Sequence, residues 1–239
     1  MKPLRVDVGL PVYNEERTLR RSVERLHAHL SEHSRAAWRV VIVDNGSTDA
    51  TPAVARELSR ALDNIEYVRV SVAGKGGAVR ELITRSEADV VAFMDIDLSS
   101  DLRYFNLLVD GIACGYDIST GTRLMHGARV QRSFKREIAS RVFNTLVKLM
   151  FAARFSDASC GFKAFRTETA KRLVQLVESD SWCFDVELML VAERNRLRIF
   201  EIPIDWVEDA DSKIRLASAT AEHLSELLRI RATLHQKRL

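Results

Sequence analysis

The sequence predicts an α/β protein built on one doubly wound, mostly parallel sheet flanked by helices. Three observations carry that expectation. Short apolar runs alternate with amphipathic helical stretches through the first half of the chain, the pattern that builds parallel sheets. Four of those runs end in polar loops, at 11–15, 44–49, 74–77 and 95–99, and loops at strand carboxyl ends form the ligand crevice of such sheets. The 239 residues, 46% hydrophobic and 29% charged, suit a single soluble domain that buries a core without metal or disulfide staples.

Each element follows from a local pattern. Residues 6–10 read as a strand and 16–33 as a helix with Leu19, Val23, Leu26 and Leu30 as its apolar stripe. A second strand at 39–43 breaks at Asn45-Gly46-Ser47, where Ser47 or Asp49 caps a helix running to about residue 62 through Val54 and Leu58. A third strand at 67–70 leads to the turn Gly74-Lys75-Gly76-Gly77 and a short helix carrying Val79, Leu82 and Ile83. Residues 90–94 are a wholly apolar strand, followed by a helix with Phe105, Leu108, Val109 and Ile112. The second half is less regular: a strand at 117–121, a basic helix near 131–153, helices near 168–177 and 183–196, a strand at 199–204 and a last helix near 218–234. No repeat, low-complexity stretch or linker divides residues 1–239, so one domain is expected.

Bulk properties exclude several classes. A net charge of +3 is too small to indicate nucleic acid. Cys114, Cys160 and Cys183 are scattered and lack C-x-x-C spacing, which points to a reducing, cytosolic compartment rather than a structural zinc. The six histidines show no metal-ligand spacing. The first residues lack the apolar stretch of a signal peptide, and no run approaches the roughly 18 apolar residues of a membrane span.

The chemistry concentrates in the loops. Asp95 and Asp97 emerge at the end of the 90–94 strand, where two carboxylates suit a hard divalent cation, Mg²⁺ or Mn²⁺, that bridges to phosphate. A solvated strand end with two capping acids is the plainer reading of the pair alone. Tyr13 offers a stacking face for a base, while Glu15 and Asp44 can accept hydrogen bonds from base or ribose. Glycines beside Lys75 would let backbone N–H groups approach a phosphate, and Lys75 adds charge. Taken singly, Asn45-Gly46 reads equally well as a turn and 74–77 as a flexible connection. Neither a G-x-G-x-x-G after the first strand nor a complete P-loop is present. Together the loops suit a nucleotide-diphosphate ligand.

The order of these motifs resembles glycosyltransferase family 2, with its GT-A fold. The resemblance rests on Leu10-Pro11-Val12-Tyr13-Asn14-Glu15-Glu16, Val43-Asp44-Asn45-Gly46-Ser47-Thr48-Asp49 and the D-x-D of Asp95 and Asp97. Further segments look like the polyprenyl-phosphate branch, the dolichyl-phosphate glucosyltransferases and dolichol-phosphate mannose synthases. They are Gly74-Lys75-Gly76-Gly77-Ala78-Val79-Arg80, Gly121-Thr122-Arg123, Asp157-Ala158-Ser159-Cys160-Gly161-Phe162-Lys163, Trp182-Cys183-Phe184-Asp185-Val186-Glu187-Leu188, Ile202-Pro203-Ile204-Asp205-Trp206 and Asp211-Ser212-Lys213.

The resemblance implies that Pro11, Tyr13, Glu15, Asp44 and Asn45 grip the nucleoside, with Lys75 and Asp95 completing the nucleotide-sugar site. It implies a metal on Asp95 and Asp97, and phosphate contacts of donor or acceptor from Arg123, Arg132 and Lys213. Arg136, Ser212 and Glu187 join the acceptor side. Residues 1–122 would then hold the nucleotide sugar and 123–239 the acceptor. Two departures stand out: the membrane anchors common in that branch are not seen here, and Asn45 replaces a second Asp found in many relatives.

From Arg123 to Arg154 eight basic residues (Arg123, Arg129, Arg132, Lys135, Arg136, Arg141, Lys148, Arg154) face a single acid, Glu137, with Phe134, Ile138, Val142, Phe143, Leu146, Val147, Leu149, Met150 and Phe151 interleaved. Such a helix can lie in an anionic membrane interface or pack its stripe on the core. The C-terminal Arg229, Arg231, Lys237 and Arg238 form a second such candidate, or a dimerisation helix. Asp185 and Glu187 point to different helix faces, one orienting a neighbouring base or acceptor contact and the other structural. Trp182 and Trp206 read as core.

The expected activity is inverting, metal-dependent transfer of a hexose from UDP-glucose, with GDP-mannose next, to a polyprenyl phosphate by a peripheral enzyme at the cytosolic face of a membrane. A soluble acceptor, or a non-catalytic nucleotide-sugar binder serving an integral membrane subunit, are the competing readings.

Overall fold

The computed structural model describes residues 3–71, 74–181, 183–208 and 219–239, with backbone only for 219–223. The expected Ser212, Lys213 and Trp182 lie outside the described residues. Seven strands form the main sheet: β1 (Arg5–Val12), β2 (Ala37–Asp44), β3 (Ile65–Arg69), β4 (Val90–Met94), β5 (Ile118–Thr122), β7 (Phe162–Arg166) and β8 (Ile199–Pro203). They are ordered β3-β2-β1-β4-β7-β5-β8, and a small parallel pair joins β6 (Arg129–Gln131) to β9 (Asp205–Val207).

β1 pairs in parallel with both β2 and β4. The chain therefore winds outward to β3 and returns to the other side of β1, creating a switch point where a ligand crevice forms at the strands' carboxyl ends. One strand runs against the rest. β7 is antiparallel to β4 and β5, with Met94 opposite Phe162. The sequence reading missed β7, because a five-residue strand carrying Lys163 and Arg166 has no clear apolar period. It also missed the three-residue β6 and β9.

Alternating side chains bury both faces of the sheet. Val40 and Ile42 enter one apolar layer with α1 (Leu19–His33), α2 (Thr51–Ala61) and α4 (Phe105–Ala113). Val41 and Val43 enter the other with α3 (Lys75–Arg85), α6 (Thr167–Val174), α7 (Phe184–Arg194) and Leu227 and Ile230 of α8 (Ala219–Thr233). α5 (Phe134–Phe151) contributes only one buried apolar side chain, Val147, to that layer.

The segment 74–77 is corrected. It is no loose turn: Gly74 caps α3 at φ +109°, and Lys75, Gly76 and Gly77 form its first helical turn. Added side chains at Gly74 and Gly76 would overlap the backbone of Asp180, and the Gly76 N–H donates to the Asp180 carbonyl at 3.0 Å. These glycines serve close packing against 180–181, and the Gly76 N–H is committed to protein rather than aimed at a phosphate. Among the described residues, no helix is long and apolar enough to cross a membrane.

Candidate active site

The loops after β1 and β2 are zipped together. Asn14, in the left-handed region at φ +54°, donates its N–H to Ser47 Oγ at 2.9 Å and accepts the Thr48 N–H on Oδ1 at 2.8 Å. The Glu15 N–H donates to Thr51 Oγ1 at 2.7 Å, and the Ala50 N–H to Glu16 Oε2 at 2.9 Å. Asn tolerates the left-handed region better than most residues, so Asn14 sets the turn and ties it down. Its role was not read from the sequence.

Asp44 is fully buried at the end of β2, accepting the Ser47 N–H at 2.9 Å and the Tyr67 hydroxyl at 2.8 Å. Burial, and then the Asp44 carboxylate, push the Tyr67 hydroxyl up to about 12, so it remains a donor that fixes Asp44. Asp44 is thereby a rigid acceptor with lone pairs to spare. Asn45 beside it is buried, and its Oδ1 has no hydrogen-bond partner among the described residues. Tyr13, in the loop after β1, is 54% exposed, with Pro11 and Glu15 half-buried. A rigid carboxylate, an unsatisfied amide oxygen and an open aromatic face suit a nucleoside.

Asp95 and Asp97 follow β4 in a tight turn closed by the Leu98 N–H on the Asp95 carbonyl at 3.1 Å, with Leu98 at φ +49°. Asp97 accepts the Ser99 N–H on Oδ1 at 3.0 Å. Gly161 lies beside Asp95, where any Cβ would overlap the carboxylate. The missing side chain is what makes room for Asp95. Both acids are half-buried, and among the described residues no third His, Cys, Asp or Glu joins a metal-holding group. Two carboxylates, Asp95 with its side chain 43% accessible, suit a hard cation that completes its shell with water and diphosphate oxygens. Asp95 is already engaged by a cation, since Lys75 Nζ lies 2.7 Å from its Oδ1.

Behind Asp95 the charges alternate. Lys75 also reaches Asp185 Oδ2 at 3.1 Å, and Asp185 Oδ1 accepts from Lys163 at 3.1 Å. Lys163 is fully buried in β7, bonded also to the carbonyls of Ala158 and Cys160. Burial alone would raise Asp185, but Lys163 and Lys75 outweigh it and hold the carboxyl below its ordinary range. Glu187 is corrected as an acceptor contact. It is fully buried on another face of α7, accepting from Lys237 at 2.6 Å, Arg229 at 2.9 Å and the Ser179 N–H at 2.9 Å. It clamps the C-terminal segment.

The arginines divide similarly. Arg123 is held by Asp157 through Nε at 2.8 Å and Nη2 at 3.0 Å, with Ser159 Oγ at 2.9 Å. Three of its donors are therefore committed to protein. The expected phosphate contact of Arg123 would therefore have to be made by a guanidinium already paired with Asp157. Burial would push Asp157 up, but Arg123 brings it down to about 2. Arg132 follows β6, its side chain 4% exposed and bonded to Glu137 through Nε at 2.6 Å, yet its buried Nη2 has no hydrogen-bond partner among the described residues. Both guanidiniums lie over Trp206, at 5.6 and 5.9 Å from the ring centroid. Trp206 bridges to Ser100, and the Val207 N–H donates to the Ser99 carbonyl at 2.9 Å. Arg132 is thereby carried to the side of the turn that holds Asp97. Arg136 pairs with Glu208.

A seven-stranded, mostly parallel sheet between helical layers, with a D-x-D at the switch point, defines a protein of GT-A fold. Known proteins agree: the profile of Glycosyl transferase family 2 matches residues 7–174, and the chain belongs to that family. It is 35% identical over 230 residues to glycosyltransferase AglD of Haloferax volcanii, covering 94% of this chain and 36% of that protein. It therefore spans only about a third of that relative's length. It is 32% identical over 231 residues to a dolichyl-phosphate beta-glucosyltransferase of Drosophila melanogaster, covering 88% and 69%. Among solved structures, glucosyl-3-phosphoglycerate synthase from Mycobacterium tuberculosis with uridine-diphosphate superposes with a TM-score of 0.70 at 19% identity, over 96% of this chain and 80% of that one. The same synthase is known with Mn²⁺ and UDP-glucose, at a TM-score of 0.68 and 19% identity, over 95% of this chain and 79% of that one.

Proposed function

We propose that the chain is an inverting hexosyltransferase that moves a sugar, glucose in preference to mannose, from UDP-glucose or GDP-mannose to a polyprenyl phosphate at a membrane surface. The observation that carries this reading is Arg132, a buried guanidinium whose Nη2 has no hydrogen-bond partner among the described residues, on the flank of the D-x-D turn. A buried donor without a partner is costly, and a phosphate would supply the partner. The dolichyl-phosphate beta-glucosyltransferases among its relatives support that acceptor.

Tyr13, Glu15, Asp44 and Asn45 would seat the nucleoside, and Lys75 would meet the diphosphate. Asp95 and Asp97 would hold Mg²⁺ or Mn²⁺, which when bound neutralises the diphosphate as it leaves. An acceptor phosphate oxygen attacks the anomeric carbon from the face opposite the nucleotide. The C–O bond to the diphosphate breaks and configuration inverts. No proton has to be removed, because a phosphomonoester has its second pKa near ~6 and is already anionic. That suits a site whose buried acid, Asp185, is occupied by two lysines. What remains is to position two anions and offset their repulsion. Arg132 is the main candidate for this, with Arg136, Ser212 and Lys213 as further acceptor contacts and Arg123 acting through its hold on Asp157 and Trp206.

The outer face of α5 supports a lipid-borne acceptor. Phe134, Ile138, Val142 and Leu149 are exposed along one face, with Lys135, Arg141 and Lys148 exposed among them. An apolar row among cations fits an anionic bilayer surface. The test is transfer of labelled hexose from UDP-glucose and GDP-mannose to polyprenyl phosphate in vesicles, with Mn²⁺ or Mg²⁺. A lipid-linked sugar is expected; glycosylation of a soluble phosphorylated acceptor but of no lipid would overturn the reading.

A further inference from the structure

We propose that Lys75 is a resident counter-ion of Asp95 that surrenders it when a divalent cation and a nucleotide diphosphate arrive together, so that the two bind as a unit. The inference rests on the assignment of a metal to Asp95 and Asp97 made above. It goes further by giving Lys75 a role in controlling when that metal enters.

The geometry carries it through two independent features. The first is a row of alternating charges: Lys163, Asp185, Lys75 and Asp95, each within 3.1 Å of the next. In this row Lys75 neutralises the exposed end, Asp95, whose side chain is 43% accessible while that of Lys75 is only 14% accessible. A dication placed on Asp95 would face the Lys75 ammonium at the same carboxylate, and two cations repel across so short a gap. The second feature is the meagre donor set. Among the described residues no group of three or more His, Cys, Asp or Glu side chains could hold a metal, so Asp95 and Asp97 have no third such ligand beside them. A metal alone would therefore meet both a cationic competitor and an incomplete shell.

A diphosphate removes both obstacles. Its oxygens complete the shell of a hard cation, and its negative charge offers Lys75 a new partner at the mouth of the same crevice. Lys75 keeps Asp185 throughout, and Asp185 keeps Lys163, so the exchange costs one contact and replaces it. Metal and nucleotide thus become reciprocally coupled ligands, each raising the affinity of the other by the same factor.

The experiment is titration of Mn²⁺, followed by the electron paramagnetic resonance of the free ion, into the wild-type chain and the Lys75→Met and Lys75→Arg variants, with no nucleotide, with UDP and with GDP. In the wild type, Mn²⁺ alone is expected to bind weakly, and one diphosphate to tighten it by about tenfold or more, the usual scale of such coupling. Lys75→Met should bind Mn²⁺ alone about tenfold more tightly than the wild type and gain less from the diphosphate, because the competitor is gone. Lys75→Arg keeps the charge and should stay close to the wild type. Thermal melting verifies that the variants fold; Asp95 is accessible to water and Asp185 retains Lys163, so neither carboxylate is stranded. The proposal is overturned if Lys75→Met binds Mn²⁺ alone no better than the wild type, or if Lys75→Arg tightens as much as Lys75→Met. A different result, Mn²⁺ binding that neither UDP nor GDP changes in any of the three proteins, would sink the underlying metal assignment instead.

Discussion

Gly161 has no side chain, and the Asp95 carboxylate lies where one would go. Its backbone is not in the left-handed region, so an alanine there meets steric overlap without backbone strain. Gly161→Ala is expected to displace Asp95 and weaken metal-dependent nucleotide binding about tenfold or more, while stability falls by only about 1–3 kcal/mol, the usual cost of overpacking. Calorimetric titration and thermal melting check the two halves. A variant that binds as the wild type does would show that Asp95 is not used where it stands. Asp157 makes a prediction of its own about pH. Its folded value of about 2 lies below the ordinary 3.8, so its contribution is complete above pH 4 and disappears as pH falls through about 2. That contribution is about 2 kcal/mol. The stability gap between the wild type and Asp157→Asn should therefore be constant near neutrality and shrink across pH 4 to 2, as denaturant melts at a series of pH values would reveal.

At the scale of elements, α7 links the crevice to the C terminus. One face presents Asp185 to Lys75 and Lys163, and another presents Glu187 to Arg229 and Lys237. Burial would raise Glu187, but hydrogen bonds from Arg229 and Lys237 bring it below its ordinary range. Removing the acid leaves Lys237, whose side chain is 5% exposed, with Glu178 at 3.0 Å and the Leu176 carbonyl at 2.9 Å but without its shortest ion pair. Glu187→Ala should then cost about 3 kcal/mol, as loss of one member of a buried ion pair does. It should also speed proteolytic release of the segment after residue 219. A cut rate and melting point equal to the wild type's would mean that apolar contacts alone, through Leu227 and Ile230, hold α8. β7 matters for a related reason: this antiparallel insertion brings Gly161 and Lys163 beside β4, so the D-x-D, its space and its charge row are assembled by one strand pairing.

For the molecule as a whole, charge and apolar surface are concentrated together on α5. Leu149 is 79% exposed and Phe134 77%, values unusual for large apolar side chains that serve only packing. Replacing both with glutamate leaves the buried Val147 side of the helix intact and reverses the character of the outer face. The double variant is expected to lose about tenfold in flotation with anionic vesicles while retaining nucleotide binding, because each well-placed basic residue or buried apolar group contributes on the order of 1 kcal/mol. Equal flotation of variant and wild type would remove α5 as the membrane face.

The sequence by itself determined the alternating α/β order, the loops after β1, β2 and β4 and the D-x-D, because periodicity and turn chemistry are local and survive without tertiary context. The placement of Tyr13, Asp44, Asp95 and Asp97 at strand ends was legible for that reason. Tertiary structure alone decided which charges are already spent. Arg123 and Glu187 look like ligand contacts in a string of letters, yet Asp157 lies 34 residues from the first, and Lys237 50 residues from the second. Asn14, Tyr67, Gly161 and Lys163 carried no periodic signal, and their roles come from partners that the fold brings close. An ionic group's availability depends on what else is buried beside it. That is a property of packing, which no spacing along the chain records.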